Sequence, residues 1–419
     1  MKKKLCAVLS ALLLCLVACF AAACGDGRTE ISIGYWINNT NERQNNQYIF
    51  DAFEEAYPEY KIKAVPINYD SYGEEVPRMF TGGTLPDVIW LREEYLPIFA
   101  EEGVIIPIDE YVEADEEFDG SKYVHNALEF CSYDGSLYAL PRDIGVQVMA
   151  FNLDIMGDTP LPENDWTWED MVELGKQFMV QEGDSYSQYG LGWLDWKCLV
   201  YSNGGTLFAD GGTRATFNDP KTVDALQFYS DLANDPDTMI MPSAEASQGL
   251  GNPFIGKKAA FAVVGSWDFV KLQKVGINYD IRPFPSGPDG EGTMRLSGLP
   301  IGINSKSDQK DMAYELVKFL CYSETAQTLQ AQYSIAMPSI ESIARSEVYT
   351  TTEFAPPSID IYFEALENTF IEEHFKNEQS AIAVFEDYLY KIYNKASGSL
   401  VRAEDIAEEM NAAVQAELS

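Results

Sequence analysis

The stretch that most constrains the fold of this chain runs from Tyr133 to Asn152. It holds two apolar segments of extended character, separated by Pro141 and by the charged pair Arg142 and Asp143. Proline fixes φ and favours an extended conformation in the residue before it. The pattern therefore predicts that one strand stops at Pro141, that another begins beyond Asp143, and that the chain crosses between two lobes here. Arg142 and Asp143 are expected to face the space between the lobes.

The rest of the chain alternates short apolar strands with amphipathic helices. Among the strands predicted from residue patterns are residues 31–36, 60–64 and 86–90. Pro66 places the second of these at a sheet edge. In a chain of 419 residues such alternation predicts an α/β fold with a parallel sheet and two domains or lobes. Because ligands bind beyond the carboxyl ends of strands in such sheets, Trp36 and Trp90 are candidates to line one crevice.

The charge is strongly acidic, which excludes one class of partner. The chain has 29 Lys and Arg residues against 66 Asp and Glu residues, for a net charge of −37. Nucleic-acid binding needs a basic face that neutralises phosphates, so no nucleic-acid partner is expected. A hydrophobic fraction of 46% predicts a folded chain rather than a disordered one.

The N-terminus has the pattern of a secretory signal. A lysine cluster at residues 2–4 precedes an apolar run, and the chain becomes polar directly after Cys24. The segment resembles a bacterial lipoprotein signal, in which the mature chain begins at a lipid-bearing cysteine. Residues 1–23 are predicted to be the signal peptide, Cys24 the lipidated residue and residues 24–29 a lipid-anchored linker. Cys19 is the alternative lipidation site, and a plain signal peptide or an uncleaved anchor helix is a further alternative.

Three cysteines and two histidines lie beyond the signal. Cys131, Cys198 and Cys321 are widely spaced, so we expect buried small hydrophobes rather than a metal site or a disulfide framework. His125, in a predicted helix over residues 123–130, and His374, in an acidic helical region, are expected to be structural or exposed. The chain has no G-x-S-x-G, Gly-rich phosphate loop or H-E-x-x-H motif. A nucleophilic or metal mechanism therefore has no support, and neither a metal nor a cofactor is expected.

The order of several short motifs resembles a known family, the extracellular solute-binding proteins of ABC importers, and specifically the carbohydrate binders related to maltose-binding protein. Each motif is weak alone, but their order and spacing extend over nearly the whole mature chain. The motifs are Phe53-Glu-Glu-Ala-Tyr-Pro58, Thr81-Gly-Gly-Thr-Leu-Pro-Asp-Val88, Gly103-Val-Ile-Ile-Pro-Ile-Asp109, Asp134-Gly-Ser-Leu-Tyr-Ala-Leu-Pro141, Phe151-Asn-Leu-Asp154, Asp165-Trp-Thr-Trp-Glu169, Gly256-Lys-Lys-Ala-Ala-Phe261, Gly265-Ser-Trp267, Ala313-Tyr-Glu-Leu-Val-Lys-Phe-Leu320 and Met337-Pro338.

This resemblance implies an α/β, two-lobe periplasmic-binding-protein-like fold of type II, with hinge crossings and a ligand cleft between the lobes. The N-terminal lobe would take residues 30–141 and 293–341, and the C-terminal lobe residues 145–290 and 345–419. The implied protein is a monomeric, lipid-anchored binding protein on the outer face of a bacterial cell membrane. It would bind a sugar or oligosaccharide and deliver it to an ABC transporter permease, without enzymatic activity.

A sugar-binding cleft needs aromatic rings for the C–H faces of the ligand and polar side chains for its hydroxyls. The resemblance favours Trp267, which follows a strand and a glycine, as a stacking residue. Trp193 and Trp196 lie three residues apart around a turn, and at most one of them is expected to reach the ligand. The alternatives are that Arg142 and Asp143 pair only with each other and that Asn203 only shapes a turn. The predicted ligand-binding residues are Trp36, Asn38, Glu42, Trp90, Arg142, Asp143, Trp196, Asn203, Trp267 and Arg295.

Two other functions compete with sugar binding. The negative charge would attract a cationic or polyamine ligand to the same fold. A surface glycosidase would need two carboxylates about 5–9.5 Å apart across the scissile bond, and no convincing pair is evident in the sequence.

Overall fold

The computed structural model describes residues 27–36, 40–183, 185–235, 238–242, 252–333, 336–394 and 400–418, with side chains in the first helix described from residue 43 onward. The predicted signal peptide, Cys19, Cys24 and Asn38 lie outside the described residues, as does the side chain of Glu42.

The described strands follow the apolar segments of the sequence. They are β1 Thr29–Tyr35, β2 Tyr60–Pro66, β3 Val88–Trp90, β4 Ser132–Tyr133, β5 Ser136–Leu137, β6 Ala139–Asn152, β7 Val180–Glu182, β8 Ser185–Leu191, β9 Phe208–Ala209, β10 Arg214–Ala215, β11 Ala259–Gly265, β12 Tyr279–Arg282, β13 Met294–Ile303, β14 Met337–Pro338 and β15 Thr369–Phe370.

The α-helices lie between these strands and make up most of the C-terminal region. They are α1 Thr40–Ala56, α2 Tyr72–Thr81, α3 Leu96–Glu101, α4 Asp109–Ala114, α5 Leu153–Met156, α6 Trp168–Lys176, α7 Trp196–Ser202, α8 Pro220–Asn234, α9 Phe269–Lys274, α10 Lys310–Tyr322, α11 Glu324–Tyr333, α12 Glu341–Ala344, α13 Glu347–Thr350, α14 Ile359–Ala365, α15 Glu378–Tyr393 and α16 Ala403–Glu417.

One mixed sheet runs through both lobes. Its order is β2-β1-β3-β13-β6-β11-β8-β7, with β12 and β14 also paired to β6 and β15 to β13. Strands β1, β2 and β3 are parallel in the N-terminal lobe, and β8 and β11 are parallel in the C-terminal lobe. Strand β2 lies at the sheet edge, which confirms the position predicted from Pro66.

The two long strands β6 and β13 join the lobes. Residues 139–146 of β6 pair with β13, and residues 147–152 pair with β11 and β12. Strand β13 in turn pairs with β15 near its start and with β3 near its end. The second crossing of the chain between the lobes therefore lies within β13. The Pro285–Gly292 segment that precedes β13 packs on the C-terminal lobe, where the Gly287 N–H donates to the carbonyl of Ser202.

The predicted break at Pro141 is wrong, because β6 continues through it from Ala139 to Asn152. Pro141 pairs with Pro300 of β13, and the register shifts between Gly298 and Pro300. The φ of proline fits a strand, and its lost N–H matters little where the facing residue also lacks one. The ladder is interrupted locally, and the strand itself carries the chain between the lobes.

Helix α6 begins as predicted. Thr167 caps it, with its Oγ accepting from the Asp170 N–H at 3.2 Å and the Asp170 carboxylate accepting from the Thr167 N–H at 2.8 Å. The predicted helix over residues 123–130 does not form. Asn126 adopts φ 63°, and a left-handed residue at that position breaks a right-handed helix, leaving His125 in a turn.

Apolar layers pack on the sheet. In the N-terminal lobe, Ile31, Ile33, Val88 and Ile301 lie against α1 and α10. Cys131, Cys198 and Cys321 are buried free thiols, which confirms the predicted burial. No helix in the described part of the chain combines the length and apolar character needed to cross a membrane.

A candidate ligand-binding cleft between the lobes

A cleft of 1670 Å³ opens between the two lobes, beside the crossing strands. Ligand pockets for single small molecules usually measure about 300–1,000 Å³, so this cleft has room for a larger ligand. Residues of both lobes and of β6 and β13 line it. The sequence-predicted residues that line it are Trp36, Trp90, Arg142, Asp143, Trp267 and Arg295.

Trp36 and Trp90 form an aromatic wall in the N-terminal lobe. Trp36 directly follows β1, and Trp90 is the last residue of β3. Because these two strands are parallel, both side chains emerge at the same sheet edge. Their ring centroids are 5.2 Å apart with an interplanar angle of 85°, an edge-to-face arrangement. Tyr69 packs edge-on against Trp36 at 5.5 Å. The Trp90 Nε1 is buried and has no hydrogen-bond partner within the described residues.

Trp267 supplies an aromatic surface from the C-terminal lobe. It lies in a short 3-10 helix after β11, and 37% of its surface is exposed, an unusual fraction for so large a hydrophobic residue. Its ring lies on two glycines: a Cβ added to Gly145 would come within 2.5 Å of the ring, and one added to Gly265 within 2.2 Å. These glycines therefore let the ring lie close against β6 and β11, while the exposed part of the side chain lines the cleft.

Arg142 and Asp143 form a buried polar network on the cleft wall. The Arg142 Nη1 donates to the Asp143 carboxylate at 3.0 Å, and its Nη2 donates to the Asn46 side chain at 2.9 Å. Gln330 also donates to Asp143, at 3.2 Å. The guanidinium of Arg142 lies 4.6 Å from the centroid of the Trp90 ring. Burial raises the pKa of Asp143 to about 6, although Arg142 and Gln330 act in the opposite direction.

A second charged cluster centres on Arg295 of β13. Its guanidinium contacts Glu93 of the N-terminal lobe at 3.3 Å and also pairs with Glu372 of the C-terminal lobe. Lys197 pairs with the same Glu372 carboxylate. Burial opposes ionisation of Glu372, but the two cations outweigh it and lower its pKa to about 2. Burial raises the pKa of Glu93 to about 7, so the Glu93 carboxylate takes up a proton near neutral pH.

His374 adjoins this cluster. Its Nδ1 lies 2.6 Å from the Glu378 carboxylate at the start of α15, which assigns the Nδ1 proton to that contact. Burial lowers the pKa of His374, but the Glu378 contact, together with the charges of Glu93 and Glu372, raises it overall. His374 therefore belongs to the cleft wall, and its burial and its pairing with Glu378 fit the structural rather than the exposed alternative predicted from sequence.

Trp196 and Asn203 lie outside the cleft, contrary to the sequence-based prediction. Trp196 begins α7 and packs on Phe385 at 4.9 Å between ring centroids. Asn203 is fully buried, donates to the Lys221 carbonyl at 2.9 Å and accepts from the Asp289 N–H at 3.2 Å. It therefore holds the turn after α7 against the Pro285–Gly292 segment.

Several cleft residues gave no recognisable signal in the sequence. Tyr48 and Tyr333 lie on helices, where an aromatic at helical spacing predicts packing rather than a site. The residues that surround Arg295 come from segments far apart in the chain. The cleft residues missed in the sequence include Asn46, Tyr48, Tyr69, Arg92, Glu93, Lys197, Tyr333, Glu372, His374 and Glu378.

The fold and the site define a two-lobed binding protein, with aromatic rings and paired charges facing a cleft between lobes. The family model described as bacterial extracellular solute-binding protein matches residues 39–327. This match covers more than half of the chain, and the protein belongs to that family. The predicted family, the predicted fold and the expectation of a binding protein rather than an enzyme are confirmed.

Individual relatives are distant. The chain is 24% identical over 315 residues to the maltotriose-binding protein of Pyrococcus abyssi, covering 71% of this chain and 63% of that one. It thus spans just under two thirds of that relative. It is 24% identical over 318 residues to the arabinooligosaccharide-binding protein of Halalkalibacterium halodurans, covering 74% and 68%. The solved structure of the ABC substrate-binding protein Lmo0181 from Listeria monocytogenes in complex with cycloalternan matches with a TM-score of 0.80 at 22% identity, covering 93% and 98%.

Proposed function

We propose that this protein is the solute-binding lipoprotein of an ABC importer and that it binds a neutral oligosaccharide between its lobes. The observation that carries the proposal is the pairing of aromatic surfaces on both sides of one large cleft, Trp36 and Trp90 on one lobe and Trp267 on the other. Aromatic rings on both walls of a cleft suit the apolar C–H faces of sugar rings. Relatives and structural neighbours with maltotriose, arabinooligosaccharides and cycloalternan in their names support the same ligand class.

The polar groups of the cleft support a neutral ligand. Three buried carboxylates of the cleft already have cationic partners: Asp143 pairs with Arg142, and Glu93 and Glu372 both pair with Arg295. A charge that is already compensated offers a polyamine little further attraction. The same side chains still present oxygen and nitrogen atoms to sugar hydroxyls. This favours the oligosaccharide over the polyamine that the net charge of −37 would otherwise suggest.

Ligand binding would close the cleft by a hinge motion. A ligand that contacts both lobes stabilises the closed arrangement through interactions that the open one lacks. The proposed lobes are residues 30–141 with 293–341 and residues 145–290 with 345–419, and the strands β6 and β13 that join them are the proposed hinge. Of the predicted site residues, Trp36, Trp90, Arg142, Asp143, Trp267 and Arg295 are retained as ligand contacts.

Isothermal titration calorimetry with the soluble chain from residue 25 tests the ligand class. Maltotriose, arabinotriose and galactotriose are titrated separately, with spermidine as the cationic comparison. Binding of at least one trisaccharide, without product formation and with a smaller radius of gyration in solution scattering, supports the proposal. Heat with spermidine alone would favour the polyamine, and release of shorter sugars that is lost on changing one cleft carboxylate would favour the glycosidase.

The lipid anchor is a separate part of the proposal. It rests on the lysine cluster, the apolar run and Cys24 followed by polar sequence, with Cys19 as the alternative site. Labelling cells with a radioactive fatty acid distinguishes the two positions. Loss of label in Cys24→Ala but not in Cys19→Ala supports Cys24, the reverse supports Cys19, and an unlabelled wild-type chain rejects the anchor.

A further inference from the structure

The exposed large hydrophobic residues of the described chain are concentrated at the cleft. Eight such side chains are exposed, and five of them line the cleft. Exposed apolar groups that converge on one place mark a binding surface, whereas scattered ones need no explanation. The five are Tyr48, Tyr69, Trp267, Val275 and Tyr333.

Tyr48 and Tyr333 form one aromatic surface at the rim of the N-terminal lobe. They come from α1 and α11, two helices of that lobe, and their ring centroids are 5.0 Å apart with an interplanar angle of 34°. The exposed fractions are 41% for Tyr48 and 43% for Tyr333. The rings are therefore neighbours that pack on each other while leaving much of their area open to the cleft.

Polar contacts hold this pair in place despite its exposure. The Gln44 side chain donates to the Tyr48 hydroxyl at 2.9 Å, and the Asn45 side chain donates to the Tyr333 carbonyl. Gln44 and Asn45 themselves line the cleft. The rim thus combines an aromatic surface with amide groups, the two kinds of group that a sugar unit requires.

The rim pair is separate from the inner aromatic wall. Trp36 lies against both Trp90 and Tyr69, and the rings described as packing on Trp36 and Trp90 do not include Tyr48 or Tyr333. The cleft volume of 1670 Å³ is continuous between the two aromatic groups. A ligand long enough to occupy both would bury aromatic area at both places.

We propose that Tyr48 and Tyr333 form an outer saccharide subsite, which binds sugar units beyond those held by the inner aromatic residues and makes the protein prefer longer oligosaccharides. This inference rests on the proposed function and adds chain-length selectivity to it. Its occupant is a further unit of the same bound saccharide, because the rim surface is continuous with the cleft.

The test is a chain-length series with the double variant Tyr48→Ala, Tyr333→Ala. Affinities are measured by calorimetry for the disaccharide to the hexasaccharide of the malto-, arabino- and galacto-oligosaccharide series. The wild-type affinity is expected to rise with length, and the variant to lose about tenfold for the longest chains while keeping the disaccharide affinity. The Tyr48→Phe, Tyr333→Phe variant keeps the rings and is expected to retain the selectivity.

Tyr390→Ala is the matched control, since Tyr390 is exposed by 40% and lies outside the cleft. It should change neither affinity nor selectivity. Equal losses for the disaccharide and the hexasaccharide, or no loss in the double variant, would overturn the outer subsite while leaving the proposed function intact. A wild-type protein that binds none of the three series would reject both.

Discussion

Arg295 is expected to hold the two lobes together through ion pairs with two carboxylates, whose burial makes an unpaired negative charge costly. It bridges Glu93 and Glu372, whose side chains are only 11% and 7% exposed. Removing one partner of a buried ion pair typically costs about 3–5 kcal/mol. Because Lys197 still pairs with Glu372 and Arg295 is itself 24% exposed, we expect Arg295→Met to lower the free energy of unfolding by about 3 kcal/mol at pH 8.

Differential scanning calorimetry provides the measurement. An unfolding entropy of about 2.1 cal/mol/K per residue gives roughly 0.8 kcal/mol/K for a chain of this size, so a loss of about 3 kcal/mol lowers Tm by about 4 °C. Arg214→Met is the control, because Arg214 is 57% exposed and pairs only with Asp210 among its described contacts. Exposed pairs of this kind contribute about 0–1 kcal/mol, and the control should shift Tm by about 1 °C or less.

The loss should depend on pH with a defined sign. The pKa of Glu93 in the folded protein, about 7, lies above the value of a free glutamate. The folded state therefore binds the proton of the Glu93 carboxyl group more tightly than the unfolded state does. The stability that this protonation contributes is present at low pH and is lost as the pH rises through 7. Without Arg295, the cost of ionising Glu93 increases, so the variant should lose more stability at pH 8 than at pH 5.5. A Tm shift equal to that of the Arg214 variant, or one of the same size at both pH values, would refute this reasoning.

Three further predictions concern the cleft and its surroundings. Because the pKa of Asp143 is about 6 and the carboxylate is the form that accepts hydrogen bonds, saccharide affinity measured by calorimetry should fall between pH 7.5 and pH 5. Asp143→Asn should reduce this dependence and leave the part that arises from Glu93. Gly145→Ala should displace the Trp267 ring and weaken saccharide binding about tenfold with little change in Tm. Gly256→Ala is the control, because its Cβ would meet nothing nearer than 3.6 Å, and it should leave both the ring and the affinity unchanged. Equal affinities for the two variants would contradict the assigned role of Trp267. Asn203→Ala should lower the free energy of unfolding by about 2 kcal/mol in urea titrations, because it removes two hydrogen bonds made by a fully buried side chain, and saccharide affinity should not change. Weaker binding at unchanged stability would instead make Asn203 a ligand contact.

Local sequence signals predicted the elements that depend on neighbouring residues. The Thr167 and Asp170 spacing predicted the start of α6, since a capping box needs only residues three apart. Trp36 and Trp90 were placed at one sheet edge because parallel strands bring their carboxyl ends together. The family followed from the order of many weak motifs, which together extend over most of the chain.

Signals that depend on a distant partner were misleading. Pro141 suggested a break, but whether proline interrupts a strand depends on the strand it faces, and Pro300 lies 159 positions further along the chain. Asn203 and Trp196 have the residue types of a sugar site, yet the Pro285–Gly292 segment and Phe385 enclose them. Residue type alone does not tell whether a polar or aromatic group faces a ligand or another part of the protein.

By itself, the sequence determined the family, the two-lobed α/β class and the inner residues at strand ends, because periodicity and motif order are properties of contiguous segments. Only the tertiary structure decided the rest of the cleft. It brought Glu93, Arg295 and Glu372 into one cluster and set Tyr48 beside Tyr333. The physical reason is that burial and pairing, which set both the pKa values and the exposed aromatic area, depend on which distant segments meet when the long strands β6 and β13 join the lobes.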